Sequence, residues 1–569
     1  MNAPVMDGKR ERGTFLHLTL ASSVLFAAVF SLHNVAGVHS GNSEGFQFAL
    51  YQAFYVTGPV FLFTSAYLMA PAFWLHEIRL RIYAFAISYI AVSAWVYSNF
   101  VVLDFGLLDG KLWDFEPLYR YLYLEIAVLI GAGVALWFLL NRLPRICLYF
   151  LVILNIGLAA PTAYALIVDS KDTSLERRAN LDAAFRFSRK KNVLIVLMDA
   201  FQSDVFAELL EKHPGLLESL RGFTFFPNTA GVARSTSLTM PSMHSGARYS
   251  PRYTMREIYE REIRQGSFLN ELAEAGHEVT MVNPMERVCP ARIELCIDGN
   301  ELLHGKIPNL VMEAAYLLDL SLFRAVPVFA KETLYNDQFW TVIPRVRRLT
   351  VLVGQQEFRT VEENRVLEVL AERGLVTDRP VTKFIHLLNT HWPYVLGSDC
   401  LVNHGNRSAA RVKAAVQAHC GLKAFLSLMD FLERQEIYDQ SLILLIADTG
   451  ADLVSQYTPP DNGTNAWRRL VGRANPLFLV KAPGARHALR KVESGIQPSD
   501  LRATVCAFVE GCDVVEGVSV FDVEAMSPRV RVYKDYRWSH QYWGKDVSPE
   551  IQDYTVLGPI WERDSWVDF

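Results

Sequence analysis

The stretch Asn192–Met198, which reads NVLIVLM, decides the fold of the larger part of this 569-residue chain. It is a nearly continuous apolar run, rich in β-branched residues, and it ends at Asp199. A run that is apolar on both faces is typical of a strand buried within a parallel sheet. The sequence therefore predicts a central strand here, with an aspartate at its carboxyl end.

Similar apolar runs recur further along the chain, at Glu278–Val282, Lys383–Leu388, Leu442–Ala447 and Leu477–Lys481. Amphipathic helical stretches lie between them, for example Met255–Ala275 and Ala409–Arg434. Strands that alternate with helices predict an α/β domain whose mainly parallel sheet is covered by helices. Such sheets bind ligands at the carboxyl ends of their strands, so the residues that follow each strand are the candidates for a functional site.

The first 168 residues differ from the rest, because the apolar residues of the chain are concentrated there. A hydrocarbon core about 30 Å thick requires roughly 20 apolar residues of helix. Five stretches meet this requirement, namely Phe15–Val35, Phe48–Leu75, Ile82–Val102, Tyr121–Leu140 and Ile146–Val168. The sequence therefore predicts an α-helical membrane domain of about five transmembrane helices over residues 13–168.

The basic residues around these stretches predict their orientation. They precede the first span and separate the second from the third and the fourth from the fifth, as Lys9, Arg10, Arg12, Arg79, Arg81, Arg142 and Arg145. Loops rich in lysine and arginine remain in the cytoplasm. We therefore expect residues 1–12 to form a cytoplasmic tail and everything after Val168 to be exported.

Composition divides the exported part into three segments. Residues 169–190 are polar and charged, as in a linker or an interfacial helix, and residues 191–525 form the expected α/β domain. Residues 526–569 are rich in tyrosine and tryptophan, which indicates a tail that packs on this domain or a surface for sugars or lipid head groups. A net charge of −4 without a long basic tract gives nucleic-acid binding no support.

Six of the seven cysteines lie in the exported part as close neighbours. An even number of close-spaced cysteines in an oxidising compartment indicates short-loop disulfides. Neighbour pairing predicts three bonds, Cys289–Cys296, Cys400–Cys420 and Cys506–Cys512. Zinc binding is less favoured, because none of the pairs has the CxxC spacing of thiolate ligands.

Polar residues follow three of the predicted strands. Asp199 ends the first, Asp448-Thr449-Gly450 follows Leu442–Ala447, and His386 lies in the strand that precedes His391. A hydroxyl-rich turn, residues 234–246 (RSTSLTMPSMHSG), comes between the first two strands. Two aspartates, hydroxyls and histidines at one sheet edge could bind a divalent metal and hold a hydroxyl nucleophile for attack on a phosphoryl group.

At these motifs the chain resembles the alkaline phosphatase and sulfatase superfamily. It is particularly similar to the membrane-tethered branch that includes lipid A phosphoethanolamine transferases and lipoteichoic acid synthases. The marks of this resemblance are NVLIVLMDAFQSD, TSLTMPSMHSG, HLLNTHWPY and LILLIADTGADL. It implies an N-terminal membrane domain of about five helices and an exported sulfatase-like α/β domain, in the inner membrane of a bacterium with the catalytic domain in the periplasm.

The resemblance also implies roles for individual residues. Asp199, Asp448 and Thr236 would bind a divalent metal, zinc or manganese, and Thr236 would be the nucleophile. Ser235, Ser237 and Thr239 compete for that role, but Thr236 stands ten residues before Gly246, the spacing of the family's nucleophile from its glycine. Sulfatase chemistry is not implied, because the Cys-x-Pro-x-Arg motif is absent and Met240 takes the place of its arginine.

His386, His391 and His404 look like residues that hold the substrate's phosphate or head group. Thr449 departs from the pattern, because it stands where the family has a metal-binding histidine. Threonine is a poorer neutral ligand than imidazole. Either His391 or His404 substitutes for the missing histidine, or the site binds metal weakly, or catalysis has been lost.

The leading hypothesis is a membrane-anchored phosphotransferase with a covalent threonine intermediate. It would move a phospholipid head group, phosphoethanolamine or phosphoglycerol, to an envelope glycan or lipid. One alternative is a phosphatase or phosphodiesterase of the same fold, in which water resolves the intermediate. Another is a catalytically degenerate protein that binds a glycan or serves as a scaffold. Nothing in the sequence predicts the oligomeric state.

Overall fold

The structure is a computed structural model, and it divides the chain into two compact units. It describes residues 8–41, 46, 48–101, 115–169, 181–249, 251–285, 288–304, 306–335, 340–350, 359–402, 411–459, 465–513, 517–523, 529–536 and 550–567. The first unit comprises Met1–Ser174 and His304–Gln356, and the second comprises Leu175–Leu303 and Glu357–Phe569.

The α-helices are, in chain order, α1 Gly8–Ala28, α2 Asn34–Gly41, α3 Leu50–Met69, α4 Glu77–Phe100, α5 Glu116–Tyr119, α6 Leu122–Arg142, α7 Pro144–Asp169, α8 Ser203–Lys212, α9 Gly215–Ser219, α10 Thr236–Ser245, α11 Met255–Ile258, α12 Phe268–Glu274, α13 Gly299–His304, α14 Lys306–Ala325, α15 Val328–Tyr335, α16 Ile343–Thr350, α17 Arg359–Glu372, α18 Arg411–Arg434, α19 Ala466–Ala474 and α20 Leu501–Cys506. Two π-helical segments, Val29–His33 and Tyr259–Gln265, join α1 to α2 and extend α11.

The strands are β1 Arg186–Ser188, β2 Asn192–Met198, β3 Phe223–Phe225, β4 Glu278–Val282, β5 Leu295–Ile297, β6 Leu375–Thr377, β7 Val381–Leu387, β8 Ser441–Ile446, β9 Phe478–Lys481, β10 Arg490–Lys491, β11 Arg531–Asp535, β12 Gln552–Val556 and β13 Trp566–Val567. All five strands predicted from the apolar runs are present, with ends that differ by at most two residues.

Among the described residues of the first unit, five helical segments are long and apolar enough to cross a membrane: Glu11–Gly41, Leu50–Phe73, Glu77–Phe100, Leu122–Arg142 and Pro144–Val168. This confirms the predicted number of spans. Many of their large apolar side chains are exposed, among them Phe63, Ile130 and Ile153, as expected for surfaces that face lipid. Buried polar contacts join the helices to one another, for example between the hydroxyls of Ser22 and Ser88 at 2.8 Å.

Residues 304–356 belong to this first unit, whereas the sequence pattern predicted that they form part of the exported domain. Leu317 and Leu318 of α14 pack in one apolar cluster with Val35 and neighbouring side chains of the membrane helices. Arg324 Nε also donates to the carbonyl oxygen of Ser98 at 2.9 Å. The sequence did not predict this, because an amphipathic helix has the same pattern whether it packs on a sheet or on a helical bundle.

The second unit is built around an eight-stranded sheet of order β10-β3-β9-β8-β2-β7-β4-β5. The strands β5, β4, β7, β2 and β8 are parallel, whereas β9 is antiparallel to both of its neighbours, β8 and β3. Alternate residues of β2 enter two different apolar cores, Leu194 and Val196 on one face and Val193 and Ile195 on the other. The central strand is therefore buried on both faces, as predicted.

The three predicted disulfides, Cys289–Cys296, Cys400–Cys420 and Cys506–Cys512, are all present in this unit. The predicted linker 169–190 differs in part from expectation. Residues 170–180 lie outside the described residues, but β1 pairs in parallel with β6, and the turn Leu181–Phe185 precedes it. Residues 181–188 therefore belong to the fold of the second unit, because Ala183 and Ala184 are buried in its core.

The aromatic tail forms a small antiparallel sheet of order β11-β12-β13. Trp566 packs edge-on against Trp467 of α19, with ring centroids 5.3 Å apart, and Tyr533 is completely buried. Strand β11 also runs beside the hydroxyl-rich turn, where the Arg234 amide donates to the carbonyl oxygen of Lys534 at 2.9 Å. The described part of the tail therefore packs on the domain and contacts the hydroxyl-rich turn.

Candidate active site

The strand register brings the predicted site residues to one edge of the sheet. Leu197 of β2 stands opposite His386 of β7 on one side and Ile446 of β8 on the other. Asp199 follows β2 by one residue, and Asp448 follows β8 by two. Because all three strands are parallel, both aspartates and His386 meet at the carboxyl edge.

Helix α10 begins at Thr236, next to these carboxylates. Ser235 is its N-cap residue and accepts a hydrogen bond from the Ser237 amide at 3.4 Å. The Thr236 hydroxyl donates to Asp199 Oδ2 at 3.3 Å. The candidate nucleophile therefore stands at the N-terminus of a ten-residue helix, where backbone amides and the helix dipole favour anions.

The four competing hydroxyls have different partners. Ser237 Oγ bonds to the Tyr536 hydroxyl at 2.5 Å and to Ser235 Oγ at 2.8 Å. The Thr239 hydroxyl donates to the carbonyl oxygen of Ser235 at 3.3 Å. Of these four residues, Thr236 alone directs its hydroxyl to a site aspartate in the described part of the chain, and this supports its choice as nucleophile.

Asp199 forms an ion pair with His386, whose Nε2 lies 3.5 Å from Asp199 Oδ2. Burial opposes the ionisation of Asp199, but attraction to His386, His391 and Arg473 outweighs it and lowers the pKa of this aspartate. Burial alone would lower the pKa of His386, yet the adjacent carboxylates, Asp199 first among them, raise it. Both shifts are in the directions that favour pairing between Asp199 and His386.

Asp448 is completely buried, and neither of its carboxylate oxygens accepts a hydrogen bond from any residue that the structure describes. Burial, together with the charge of Asp199, raises its pKa. The same holds for the neighbouring Thr449 Oγ1, which is buried without a hydrogen-bond partner in the described chain. Buried polar atoms are normally satisfied, so this cluster is an exception that requires an explanation.

A divalent cation fits these residues. Asp199, Asp448 and the Thr236 hydroxyl would be oxygen ligands, and such an ion would satisfy the unpartnered oxygens of Asp448. When bound, it would lower the pKa of the Thr236 hydroxyl and offset the charge of an attacked phosphoryl group. The Thr449 hydroxyl, which comes directly after Asp448 in the sequence, would be a weaker neutral ligand than an imidazole.

The three candidate histidines, His386, His391 and His404, do not all lie among the described residues. His386 lies in the site, whereas His391 is partly buried and its Nδ1 lies 2.6 Å from the carbonyl oxygen of Trp392. His391 is close enough to Asp199 to contribute to the lowered pKa of that carboxyl. His404 lies outside the described residues, so its role stays a prediction from the sequence.

A second group with ligand atoms close together consists of Glu271, Cys506 and Cys512. The two cysteines are joined by a disulfide, so neither provides a thiolate. This group is therefore not a metal site in the oxidised protein.

Sequence reasoning missed several residues around the candidate site. Arg473, which lies near the end of α19, donates hydrogen bonds to the backbone of both the hydroxyl-rich turn and the loop after β8. Asp535 and Tyr536 come from the tail, where Asp535 pairs with Arg234 at 3.0 Å. These residues lie far along the chain from the quoted motifs, so no motif marks them. The one sequence feature near them is an apolar or aromatic stretch.

No protein-family model matches this chain, and no curated protein matches it. Among solved structures, the chain is similar to an alkaline phosphatase superfamily protein from Vibrio parahaemolyticus, with 13% identity over 66% of this chain and 78% of that one and a TM-score of 0.38. It is also similar to the lipoteichoic acid synthase LtaP from Listeria monocytogenes, with 12% identity over 65% of this chain and 85% of that one and a TM-score of 0.36.

A phosphonate monoester hydrolase of Agrobacterium radiobacter gives a similar result, with 13% identity over 65% of this chain and 88% of that one and a TM-score of 0.39. The superfamily resemblance itself rests on the sequence motifs and on the geometry of the candidate site.

Proposed function

We propose that this protein is a membrane-anchored phosphotransferase that moves a phospholipid head group through a covalent intermediate on Thr236. The observation that carries the proposal is the Thr236 hydroxyl, which stands at the N-terminus of α10 and 3.3 Å from Asp199 Oδ2. The buried, unpartnered oxygens of Asp448 lie at the same sheet edge. A hydroxyl, two carboxylates and a helix N-terminus form the arrangement that nucleophilic attack on a phosphodiester requires.

The chemistry has two balanced steps. In the first, Thr236 Oγ1 forms a bond to phosphorus while the bond from phosphorus to the lipid's diacylglycerol oxygen breaks, and the hydroxyl proton leaves with that oxygen. In the second, a hydroxyl of the acceptor attacks the same phosphorus, releases Thr236 and returns a proton to it. Asp199 orients the Thr236 hydroxyl, and His386 Nε2, which lies 3.5 Å from Asp199 Oδ2, pairs with the Asp199 carboxylate.

The substrates in this proposal are a phospholipid donor, carrying phosphoethanolamine or phosphoglycerol, and an envelope glycan or lipid acceptor. Five helices able to cross a membrane on the same chain favour a lipid donor over a soluble one. The cofactor would be zinc or manganese, bound by Asp199, Asp448 and Thr236. The location would be a bacterial inner membrane with the catalytic unit in the periplasm.

A hydrolase of the same fold differs only in the second step, where water replaces the acceptor. Thr449 favours another candidate, a domain that has lost catalysis and binds a glycan or a partner, because the residue gives the site no imidazole. The test must therefore separate transfer, hydrolysis and simple binding.

The experiment uses the full chain in detergent, supplied with zinc or manganese and fluorescent phosphatidylethanolamine or phosphatidylglycerol. We expect diacylglycerol release and a head-group adduct on Thr236, detected by mass spectrometry. Thr236→Ala should abolish both. Thr239→Val is the matched control, since Thr239 lies on the same helix but bonds to the backbone, and it should leave both intact.

Free head group without any transfer to added glycan or lipid would favour the hydrolase. An absence of diacylglycerol release with either lipid and either metal would contradict both enzymatic accounts and favour the binding protein.

A further inference from the structure

Arg473 joins the two segments that carry Thr236 and Asp448. Its Nε donates to the carbonyl oxygen of Arg234 at 2.8 Å, and its Nη1 donates to that of Gly450 at 3.1 Å. Arg234 precedes Thr236 by two residues, and Gly450 follows Asp448 by two. The guanidinium is therefore fixed beside the candidate nucleophile and the second aspartate.

The backbone around Arg473 is tightly constrained by two glycines. A Cβ on Gly450 would lie 2.0 Å from the carbonyl oxygen of Gly472, and a Cβ on Gly472 would lie 2.0 Å from that of Leu453. The Gly450 amide also donates to the carbonyl oxygen of Arg473 at 2.9 Å. Only glycine fits at both positions without a backbone shift, so the loop that presents Asp448 also fixes Arg473.

The charge of Arg473 is not neutralised by an ion pair within the described chain. Both of its side-chain acceptors are carbonyl oxygens, and the nearby Asp452 and Asp535 pair with Arg234 instead. Its Nη2 donates no hydrogen bond to any described residue. The side chain is partly exposed, and its charge acts on both Asp199 and Asp448.

We propose that Arg473 binds the tetrahedral phosphoryl group beside Thr236, with Nη2 as the donor to a non-bridging oxygen. This inference rests on the proposed function. The substrate is anionic, and the Arg473 guanidinium would add a fixed positive charge to that of the divalent cation proposed for Asp199, Asp448 and Thr236. Guanidinium donors match the geometry of phosphate oxygens. Because the group is already held in place, it needs no reorganisation as charge develops on the phosphoryl oxygens.

The test uses inorganic phosphate as the probe and measures its dissociation constant by calorimetry on the full chain in detergent, loaded with zinc. Arg473→Gln should weaken phosphate binding by about tenfold or more, as expected for the loss of a hydrogen bond to a charged group. Arg473→Lys keeps the charge without the planar donors and should give an intermediate constant. Zinc content should match the wild type in both variants, whereas the melting temperature of Arg473→Gln should fall because the carbonyl oxygens of Arg234 and Gly450 lose this donor.

Arg469→Gln is the matched control, because it removes the same charge from the same helix. Arg469 is exposed and donates to the carbonyl oxygen of Asp452 at 3.3 Å, so phosphate affinity should stay unchanged. Equal weakening by Arg469→Gln would indicate a general charge effect and overturn the proposal.

Unchanged phosphate affinity in Arg473→Gln would overturn the proposal, as would a wild type that binds no phosphate. Loss of zinc together with phosphate would also overturn it, since Arg473 would then act by holding the loop of Asp448. If Arg473→Gln does not fold, Arg473→Lys decides, and wild-type affinity in that variant overturns the proposal. Arg473-dependent phosphate binding without head-group transfer from any lipid would contradict only the proposed function.

Discussion

The two edges of the large sheet differ in how their buried ionisable side chains are hydrogen-bonded. At the amino edge, Lys383 Nζ donates to the carbonyl oxygens of Ala183 and Ala184 at 3.2 and 2.6 Å. Lys481 on β9 donates in the same way to the carbonyl oxygens of Tyr438 and Ser441, at 2.8 and 3.2 Å. These two buried amines are satisfied by hydrogen bonds from the fold itself.

At the carboxyl edge, by contrast, both carboxylate oxygens of Asp448 are buried without a hydrogen-bond partner among the described residues. A buried charge that the fold does not satisfy costs stability and persists only where something else compensates for it. The comparison indicates that a buried ionisable side chain does not by itself identify a functional site. The unsatisfied groups mark the functional edge, and the satisfied groups mark the structural edge.

The largest effect is expected for Asp448→Asn, which removes the buried carboxylate at the carboxyl edge of the sheet. Zinc binding and head-group release should both fall by roughly 10³-fold or more, as for the loss of an essential active-site group. The metal-free variant should melt no lower than the metal-free wild type, because a buried uncompensated carboxylate has been removed. Metal analysis, lipid turnover and thermal melting of the full chain measure these three quantities. Retention of stoichiometric zinc by the variant would contradict the assignment of Asp448 as a ligand.

Lys383→Met removes a buried amine at the amino edge. This variant should lose stability but keep its turnover. The carbonyl oxygens of Ala183 and Ala184 lose their donor, which should lower the free energy of unfolding by roughly 1–3 kcal/mol. Thermal melting measures this loss. Turnover per folded molecule should match the wild type, because Lys383 lies far along its strand from His386, three residues toward the amino edge. A variant that is stable but inactive would contradict the separation of the two edges.

The stability difference between the wild type and Lys383→Met should depend on pH. Burial lowers the pKa of Lys383 to about 7, against the ordinary lysine value of 10.5. Between these values the unfolded chain binds more protons than the folded one, so the contribution of Lys383 to stability rises with pH from about 7 toward 10.5 and is lost as pH falls. The wild type should therefore gain more stability than Lys383→Met between pH 7 and pH 9. Parallel melting curves for the two proteins over this range would contradict the expectation.

Thr449→His adds an imidazole to the carboxyl edge, which is the metal ligand that the resemblance leads one to expect. We expect zinc affinity to rise by about tenfold, because imidazole is a better neutral ligand than a hydroxyl. Competition with a zinc chelator measures this change, with Thr390→His as a control, since the Thr390 hydroxyl donates to the carbonyl oxygen of Asp199 rather than into the cluster. Unchanged affinity would mean that another residue already completes the ligand set.

Much of the fold could be predicted because the local pattern and the tertiary context agree. The run Asn192–Met198 is apolar on both faces, and the sheet buries it on both faces. The same reasoning could not predict that β9 runs antiparallel, because strand direction depends on the connections and not on side-chain polarity. Nor could it assign α14 to the first unit, since amphipathicity does not identify the surface that a helix contacts.

The candidate site was predictable where a motif carries it and not where distant segments converge. Asp199, Asp448 and Thr236 follow or precede regular elements, so topology alone places them together. Arg473 and Tyr536 enter the site through contacts that span 239 and 299 residues, and no local pattern marks them. Such residues are found only when the packing of loops and tail is known.

The smallest effect is expected for Tyr536→Phe, which tests whether the tail supports the functional edge. The change removes one hydroxyl, which lies 2.5 Å from Ser237 Oγ on the helix that begins at Thr236. Ser237 keeps its contact with Ser235, so the loss should be about 1 kcal/mol in stability, with turnover reduced by a few fold at most. Thermal melting and lipid turnover of the full chain measure both effects, and Tyr554→Phe on β12 is a control in the same tail sheet. A loss of turnover as large as that of Asp448→Asn would instead make Tyr536 part of the catalytic machinery, because a purely supporting hydroxyl cannot have that effect.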